Sequence, residues 1–400
     1  MSVIIVGGGI GGLSLALALA QQGIGVVVFE QAGALEAVGA GLQLGPNATR
    51  ILEGWGLGAA LRHVSVEPIR AEVRDAASGA TLVVNRLGAD AEARWGGAYR
   101  VLSRTALQGL LAEAVAGEAL VELRLGRRIV SVRSESGQSE SGQTESGQSE
   151  SAQAVAVLDD GQTVEGEVLF GCDGLHSVVR AAIAGPDPAR YTGQTAWRGL
   201  ARMDLADTPK VEVWTGPNRH FVRYPVGGGL ANMVAVVEAP EAGIESWARE
   251  GEAGELAAAF ADWPEPVRAT LAAVERPWRS ALYDRPPLAR WTAGRLALLG
   301  DAAHPMLPFL AQGAAMAIED AEVAAQALAG GGDVAAALAA YADARRARTA
   351  KVQAWSRRNA RLFHLPSFAA RGVFGAAGVF DRVRGVDGEA RFDWLYGWRP

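Results

Sequence analysis

Residues Ser2 to Phe29, SVIIVGGGIGGLSLALALAQQGIGVVVF, contain no charged side chain. A run this apolar must enter a membrane or be covered on every side by protein. Glycines at 7, 8, 9, 11 and 12 break it, and no basic segment precedes it, so it reads as neither signal peptide nor span. No other stretch offers about 18 uninterrupted apolar residues. The remaining solution is a buried βαβ unit. Ser2 to Val6 predicts a parallel strand, about Leu13 to Gln22 a helix, and Gly25 to Glu30 a second strand.

The turn between the first strand and the helix reads Gly7-x-Gly9-x-x-Gly12. With 50 glycines in 400 residues, about 0.8 copies of this pattern are expected by chance. Its context carries the weight. The pattern follows a strand, opens a helix, and is followed by Glu30 at the end of the next strand. Gly7 permits the tight turn, Gly9 lets the backbone approach a pyrophosphate, and Gly12 lets helix and strand pack closely. The helix N-terminus offers free N–H groups to phosphate, and Glu30 can accept from ribose hydroxyls. This is a dinucleotide fingerprint; it does not separate FAD from NAD.

A net charge of −6 argues against nucleic acid or an anionic membrane as partner. The lone cysteine, Cys172, excludes an internal disulfide and fits the cytoplasm. His63, His176, His220, His304 and His364 show no ligand spacing, so no metal is expected. Gly39 to Leu52 reads as a glycine loop entering a helix, with Asn47 as its cap, and Gly41 in this loop is counted with the cofactor-binding residues. Ser134 to Gln153 repeats Ser-Glu-Ser-Gly-Gln with period five and holds one alanine as its only apolar residue. Such a tract cannot enter a core and reads as a mobile hairpin loop without catalytic part. Val211 to Val237 alternates and turns at Gly227-Gly228-Gly229, which predicts an antiparallel sheet. The fold class is therefore α/β. A Rossmann-like domain (1–70, 98–182, 280–335) interleaves with an antiparallel-sheet substrate domain (71–97, 183–279), and a helical region follows (336–400).

Two later segments repeat one design. GCDGLHSVVR (Gly171 to Arg180) places Asp173-Gly174 on a turn after a strand, and LALLGDAAHP (Leu296 to Pro305) does the same with Asp301. With the N-terminal fingerprint and the ending RFDWLYGW (Arg391 to Trp398), the chain resembles the FAD-dependent aromatic hydroxylases of the p-hydroxybenzoate hydroxylase superfamily. Its nearest likeness is the salicylate hydroxylase, 3-hydroxybenzoate 6-hydroxylase and 6-hydroxynicotinate 3-monooxygenase group. The resemblance implies bound FAD, transient NADH or NADPH, O2, and a small phenolic or N-heteroaromatic substrate hydroxylated through a flavin C4a-hydroperoxide. It implies that Asp301 contacts the ribityl chain and Arg104 the pyrophosphate region. Asp173 would serve FAD and the nicotinamide donor. Pro308 matches the position near flavin C4a.

The stretch from Gly300 to Ala321 now has a reading. Gly313 and Ala314 start an apolar helix whose amides and dipole would stabilise negative charge on the flavin. Pro305 and Pro308 stiffen an uncharged wall. On the substrate side, RHFVRYPV (Arg219 to Val226) puts His220 and Tyr224 on one strand face. The resemblance implies that both line the substrate pocket. An unperturbed histidine, pKa about 6.5, could take a phenol proton near neutral pH, with Tyr224 orienting the ring. Arg198 is a weaker pocket candidate. Cys172, His176 and His304 read as structural. A dehydrogenase or reductase on this fold, or a non-catalytic flavin-binding protein, is the alternative. The chain is expected to be a monomer or homodimer.

Overall fold

The computed structural model describes residues 1–35, 41–135, 153–239, 249–383 and 388–400. Two sheets organise it. The first has six strands in the order Thr292–Ala293, Leu296–Leu298, Val168–Gly171, Ser2–Val6, Gly25–Phe29, Val121–Arg124. All its pairings are parallel except the short Thr292–Ala293 edge. Ser2–Val6 sits in the interior of this sheet and is buried from Val3 onward, as its uncharged composition requires.

The fingerprint helix, Ile10–Gln21, starts three residues earlier than its apolar spacing suggested. Its residues are buried nearly all round, because it lies between the sheet and the helix Gly313–Ala329. That packing explains the glycines. Gly7 has φ +106°, and a Cβ on it would stand 2.5 Å from the Cys172 carbonyl oxygen. A Cβ on Gly12 would stand 1.9 Å from the Gly7 carbonyl oxygen. Neither position admits another residue without moving backbone.

The second sheet has eight strands: Arg249–Glu250, Trp278–Asp284, Arg190–Arg202, Leu230–Glu238, Arg219–Gly227, Lys210–Gly216, Arg70–Asp75, Thr81–Arg86. It is antiparallel except where Lys210–Gly216 runs parallel to Arg70–Asp75. Trp278–Asp284 lies wholly in this sheet and spans position 280, at which the sequence reading divided the chain. One face carries Trp197, Trp214 and Phe221 and packs on Phe260, Trp263 and Val267; the other lines the cavity shared with the first sheet. The long helix Val334–Leu362 runs along the molecule and contacts both the Gly313–Ala329 helix and the loop before it.

Some local expectations change. Gly41–Leu44 is a strand paired with Arg100–Ser103, not a loop. Asn47 is not a cap: Gly45 caps the helix Pro46–Gly54, and the Asn47 amide points inward to Gln312 and Glu319. Ser103 instead caps the helix Arg104–Ala116, its Oγ accepting from Ala106 N–H. Ile129–Glu135 and Gln153–Leu158 pair as a hairpin; the repeat between them, 136–152, lies outside the described residues.

The C-terminal segment is held by its backbone. Arg50 donates to the carbonyls of Trp95, Tyr396 and Trp398. Arg348 donates to those of Trp394 and Leu395. Asp393 accepts from Arg94 and from the Trp95 indole. Among the described residues no helix is long and apolar enough to cross a membrane.

Candidate active site

Between the two sheets lies a cavity of about 990 Å³, at the upper end of the ~300–1,000 Å³ usual for small-molecule sites. Its walls come from distant parts of the chain. Gly7, Gly9, Glu30, Gly41, Arg104, Asp173, Asp301, Gly313 and Ala314 line it, and so do His220, Tyr224, Arg198 and Pro308. Gly12, counted with the cofactor-binding residues, does not; it supports the turn from behind. His220 and Gly313, 93 residues apart in the chain, thus face one space.

The first end of the cavity is built from strand ends and helix starts. Glu30 accepts from Gly8 N–H (2.7 Å) and Ala32 N–H (2.8 Å), which fixes its carboxylate beside the glycine turn. Asp173 Oδ2 accepts from Val178 N–H (2.8 Å), so this residue also caps a helix together with Ser177. Its buried Oδ1 has no partner. Arg180, on the same helix, ties this motif to the second one by donating to the carbonyls of Ala302 and Ala303.

Asp301 is half-buried in the cavity wall and makes no hydrogen bond among the described residues. Burial raises its pKa against the opposing charges of His304 and Arg104, and burial raises that of Asp173 as well. A polar group with this environment wants a donor from outside the chain. Beside it, a Cβ on Gly9 or Gly313 would meet nothing within 4 Å, so both backbones border open space. Two helix N-termini, two acids with free acceptors and Arg104, without a contact ion pair among the described residues, form a set of donors and acceptors that fits FAD. Among the described residues no group of His, Cys, Asp and Glu could hold a metal.

The loop before the Gly313–Ala329 helix is strapped down. Gln353, Ser356 and Asn359, three residues apart on the long helix, donate to the carbonyls of Pro305, Leu307 and Phe309. Helical spacing on one side thus meets alternate carbonyls of the proline loop on the other, the last of them in the 3-10 turn Pro308–Leu310. Below it, Asp320 holds the start of the loop. Its carboxylate accepts from Gly300 N–H, lies 2.5 Å from His304 Nε2, and receives Arg345 Nε at 2.6 Å. His304 is therefore structural, and the charges of His304 and Arg345 hold Asp320 at about 2 against its burial.

The second end of the cavity is the floor of the eight-stranded sheet. His220, Val222 and Tyr224 share its face with Val234, Arg198, Ser280 and Leu282. Here one expectation fails. His220 is not an unperturbed histidine: burial, with His364 beside it, holds its pKa well below the ordinary value. Its Nδ1 lies 2.8 Å from His364 Nε2. Phe309 and Phe363 close over its ring. Tyr224 is also buried, and its phenol is pushed up by burial. Arg198 is half-buried without any carboxylate partner among the described residues; it donates to Ser280 Oγ, and desolvation lowers its pKa to about 10.

Sequence reasoning missed His364 beside His220 and Glu238 beside His364, the Asn232 side chain that accepts from Gly41 N–H, and Tyr99, Trp355 and Asn359 in the walls. No local pattern marks them. They arrive from strands and helices far along the chain.

Comparison with known proteins identifies the family. The model of the FAD binding domain family matches residues 1–356. A 3-hydroxybenzoate 6-hydroxylase of Klebsiella oxytoca is 35% identical over 420 residues, covering 100% of this chain and 97% of its own. A 3-amino-4-hydroxybenzoate 2-monooxygenase of Streptomyces platensis is 35% identical, covering 99% and 95%. A 6-hydroxynicotinate 3-monooxygenase of Bordetella bronchiseptica is 33% identical, covering 89% and 91%. Among solved structures, Klebsiella pneumoniae HpxO complexed with FAD and uric acid superposes with a TM-score of 0.81 at 27% identity, covering 99% of this chain and 96% of its own. A salicylate hydroxylase substrate complex gives 0.76 at 25% identity, covering 100% and 98%. The chain belongs to the FAD binding domain family, among its FAD-dependent aromatic monooxygenases.

Proposed function

We propose that this enzyme hydroxylates a small phenolic or N-heteroaromatic acid, with NADH or NADPH as donor and O2 as co-substrate. The observation that carries the choice of substrate is the floor of the cavity. Arg198 is in register with Val234, and Val234 with Val222. His220 and Tyr224 flank Val222 two residues either way. With strands about 4.8 Å apart and residues rising about 3.3 Å, Arg198 lies about 12 Å along the floor from each. One cation, unpaired among the described residues, thus lies across the floor from two groups able to handle a phenol, at a separation that an aromatic ring with an acid at its far side fits. The relatives' substrates, 3-hydroxybenzoate and 6-hydroxynicotinate among them, have this layout.

In this reading Gly7, Gly9 and Arg104 hold the pyrophosphate of FAD, Glu30 the adenosine side, Asp173 and Asp301 the ribityl region, and the amides at Gly313 and Ala314 the flavin edge, with Gly41 bordering the same end beside Tyr224 and Asn232. Gly12 supports the turn beneath them. Bound FAD supplies the electrons drawn from NAD(P)H and the activation of O2. The chain's own residues do the rest. Arg198 pairs with the acid, Tyr224 orients the ring, and His220 accepts the phenolic proton at Nε2, which turns the ring into a stronger nucleophile. Pro308 and Phe309 wall off water. The acting form is a monomer or homodimer in the cytoplasm, where reduced nicotinamide is supplied.

A panel of phenolic acids and neutral phenols tests the reading. Phenolic acids should stimulate NAD(P)H oxidation and take up one labelled atom from ¹⁸O2. Stimulation by neutral phenols alone would remove Arg198 from recognition; oxidation without label in any product would remove hydroxylation.

A further inference from the structure

The buried base has a route for its proton. His220 Nδ1 stands 2.8 Å from His364 Nε2, and His364 Nδ1 stands 3.1 Å from Glu238 Oε1. The Glu238 side chain is 46% exposed, whereas that of His364 is 4% exposed. A three-member chain of hydrogen bonds therefore runs from the cavity floor to solvent. It is assembled from the strand Arg219–Gly227, the end of the long helix, and the strand Leu230–Glu238.

The chain has a direction. An ionised Glu238 only accepts, so His364 Nδ1 carries the proton between them. Gln194 Nε2 lies 3.3 Å from the same nitrogen, a longer contact that needs Nδ1 as acceptor; the charged and shorter partner sets the tautomer. A neutral His364 then has its lone pair on Nε2 and must accept from His220 Nδ1–H. That in turn leaves the lone pair of His220 on Nε2, the nitrogen turned away from His364 and without a partner among the described residues.

We propose that His364 and Glu238 form a proton relay that fixes His220 as an Nε2 base and carries the substrate proton from it to water. The proposal rests on the reading of His220 as the base. In the step, the phenol O–H breaks and its proton joins His220 Nε2, while the electron pair stays on the phenolate oxygen. The Nδ1–H of His220 passes to His364 Nε2, the Nδ1–H of His364 passes to the Glu238 carboxylate, and Glu238 releases it to solvent. No imidazolium has to persist in the dry floor. That matters because burial disfavours the charged form of both histidines. The groups facing the pair are Phe309 from the proline loop, Phe363 from the helix end, Gln194 from the neighbouring strand, and Glu238. Among the described residues no lysine, arginine or second carboxylate is paired with either histidine.

Two measurements test this. The first needs no substrate. In protein labelled with ¹⁵N in its five histidine rings, the relay requires Nδ1–H tautomers for both His220 and His364 at neutral pH, and E238Q must shift them. A His220 protonated at Nε2 in the wild type overturns the proposal. The second follows proton release by indicator dye when oxidised holoenzyme binds 3-hydroxybenzoate. E238Q, a half-exposed substitution that leaves the fold intact, should slow release by about tenfold or more, at or below the ~10²–10⁴-fold of a direct general acid–base group. The pH profile should shift, and the conservative E238D should restore both. Wild-type release rates in both E238Q and His364→Gln overturn the relay alone. Full coupling in His220→Ala instead removes the base, and the relay with it.

Discussion

At the scale of single residues, the site is a set of polar groups kept short of partners. Asp301 is the clearest case. Burial raises its pKa above that of the unfolded chain, so its ionised form costs stability at neutral pH until something donates to it. Asp301→Asn should therefore raise the melting temperature of the FAD-free protein while weakening FAD; a variant that retains FAD fully through gel filtration would reject the contact. His220 is tuned the same way, toward the neutral form. His220→Ala should keep FAD bound, lower hydroxylation by about 10²–10⁴-fold, and send reducing equivalents to hydrogen peroxide; product and peroxide assayed together would reveal it. Among the described residues Arg198 has no acid to release when substrate arrives. Arg198→Gln should raise KM for phenolic acids by about tenfold or more, a charge-assisted bond being worth about 1.5–3 kcal/mol, with neutral phenols little affected.

Elements cooperate through one buried charge cluster. Glu319 and Asp320 lie on the Gly313–Ala329 helix, and Arg345 on the long helix pairs with both. All three side chains have zero exposure. Asp320 also holds the Gly300 turn, and Glu319 holds Arg348, which grips the C-terminal segment. The cluster thus joins the loop bearing Asp301, the helix start at Gly313 and the tail that carries Tyr396 into the cavity wall. Arg345→Met removes one cation from two buried carboxylates and should cost about 3–5 kcal/mol. Urea unfolding would measure the loss, and FAD retention should fall with it.

For the whole molecule, the same cluster sets acid stability. Asp320 is held at about 2, below its ordinary 3.8. A depressed carboxyl contributes stability that is complete above the unfolded value and lost as pH falls through the folded one. Acid unfolding should therefore fall between about pH 4 and pH 2, with a cluster contribution on the order of 2 kcal/mol. Asp301 and Asp173 act with opposite sign, because protonation relieves them. In apo protein, Asp301→Asn should flatten the gain seen on mild acidification, which thermal scans against pH would record.

Much of this was legible from residues alone wherever the chemistry is local. An uncharged run broken by glycines can only be a buried strand, turn and helix, so the Gly7–Gly12 turn and Glu30 could be read directly. The same holds for the acid after a strand at Asp173 and Asp301, and for the alternation that puts His220 and Tyr224 on one face. What the chain could not disclose is anything set by contacts over long separations. His364 lies 144 residues from His220 and Glu238 lies 126 from His364; no period or motif links them. The pKa of His220 was misjudged for that reason, since burial and a facing ring belong to the folded surroundings and not to the residue. Asn47 failed likewise: its inward partner, Glu319, is 272 residues away. Sequence determined which groups could do the chemistry, because backbone conformation and side-chain alternation are local. Tertiary structure decided which of them meet, how dry that meeting place is, and where a proton can leave it.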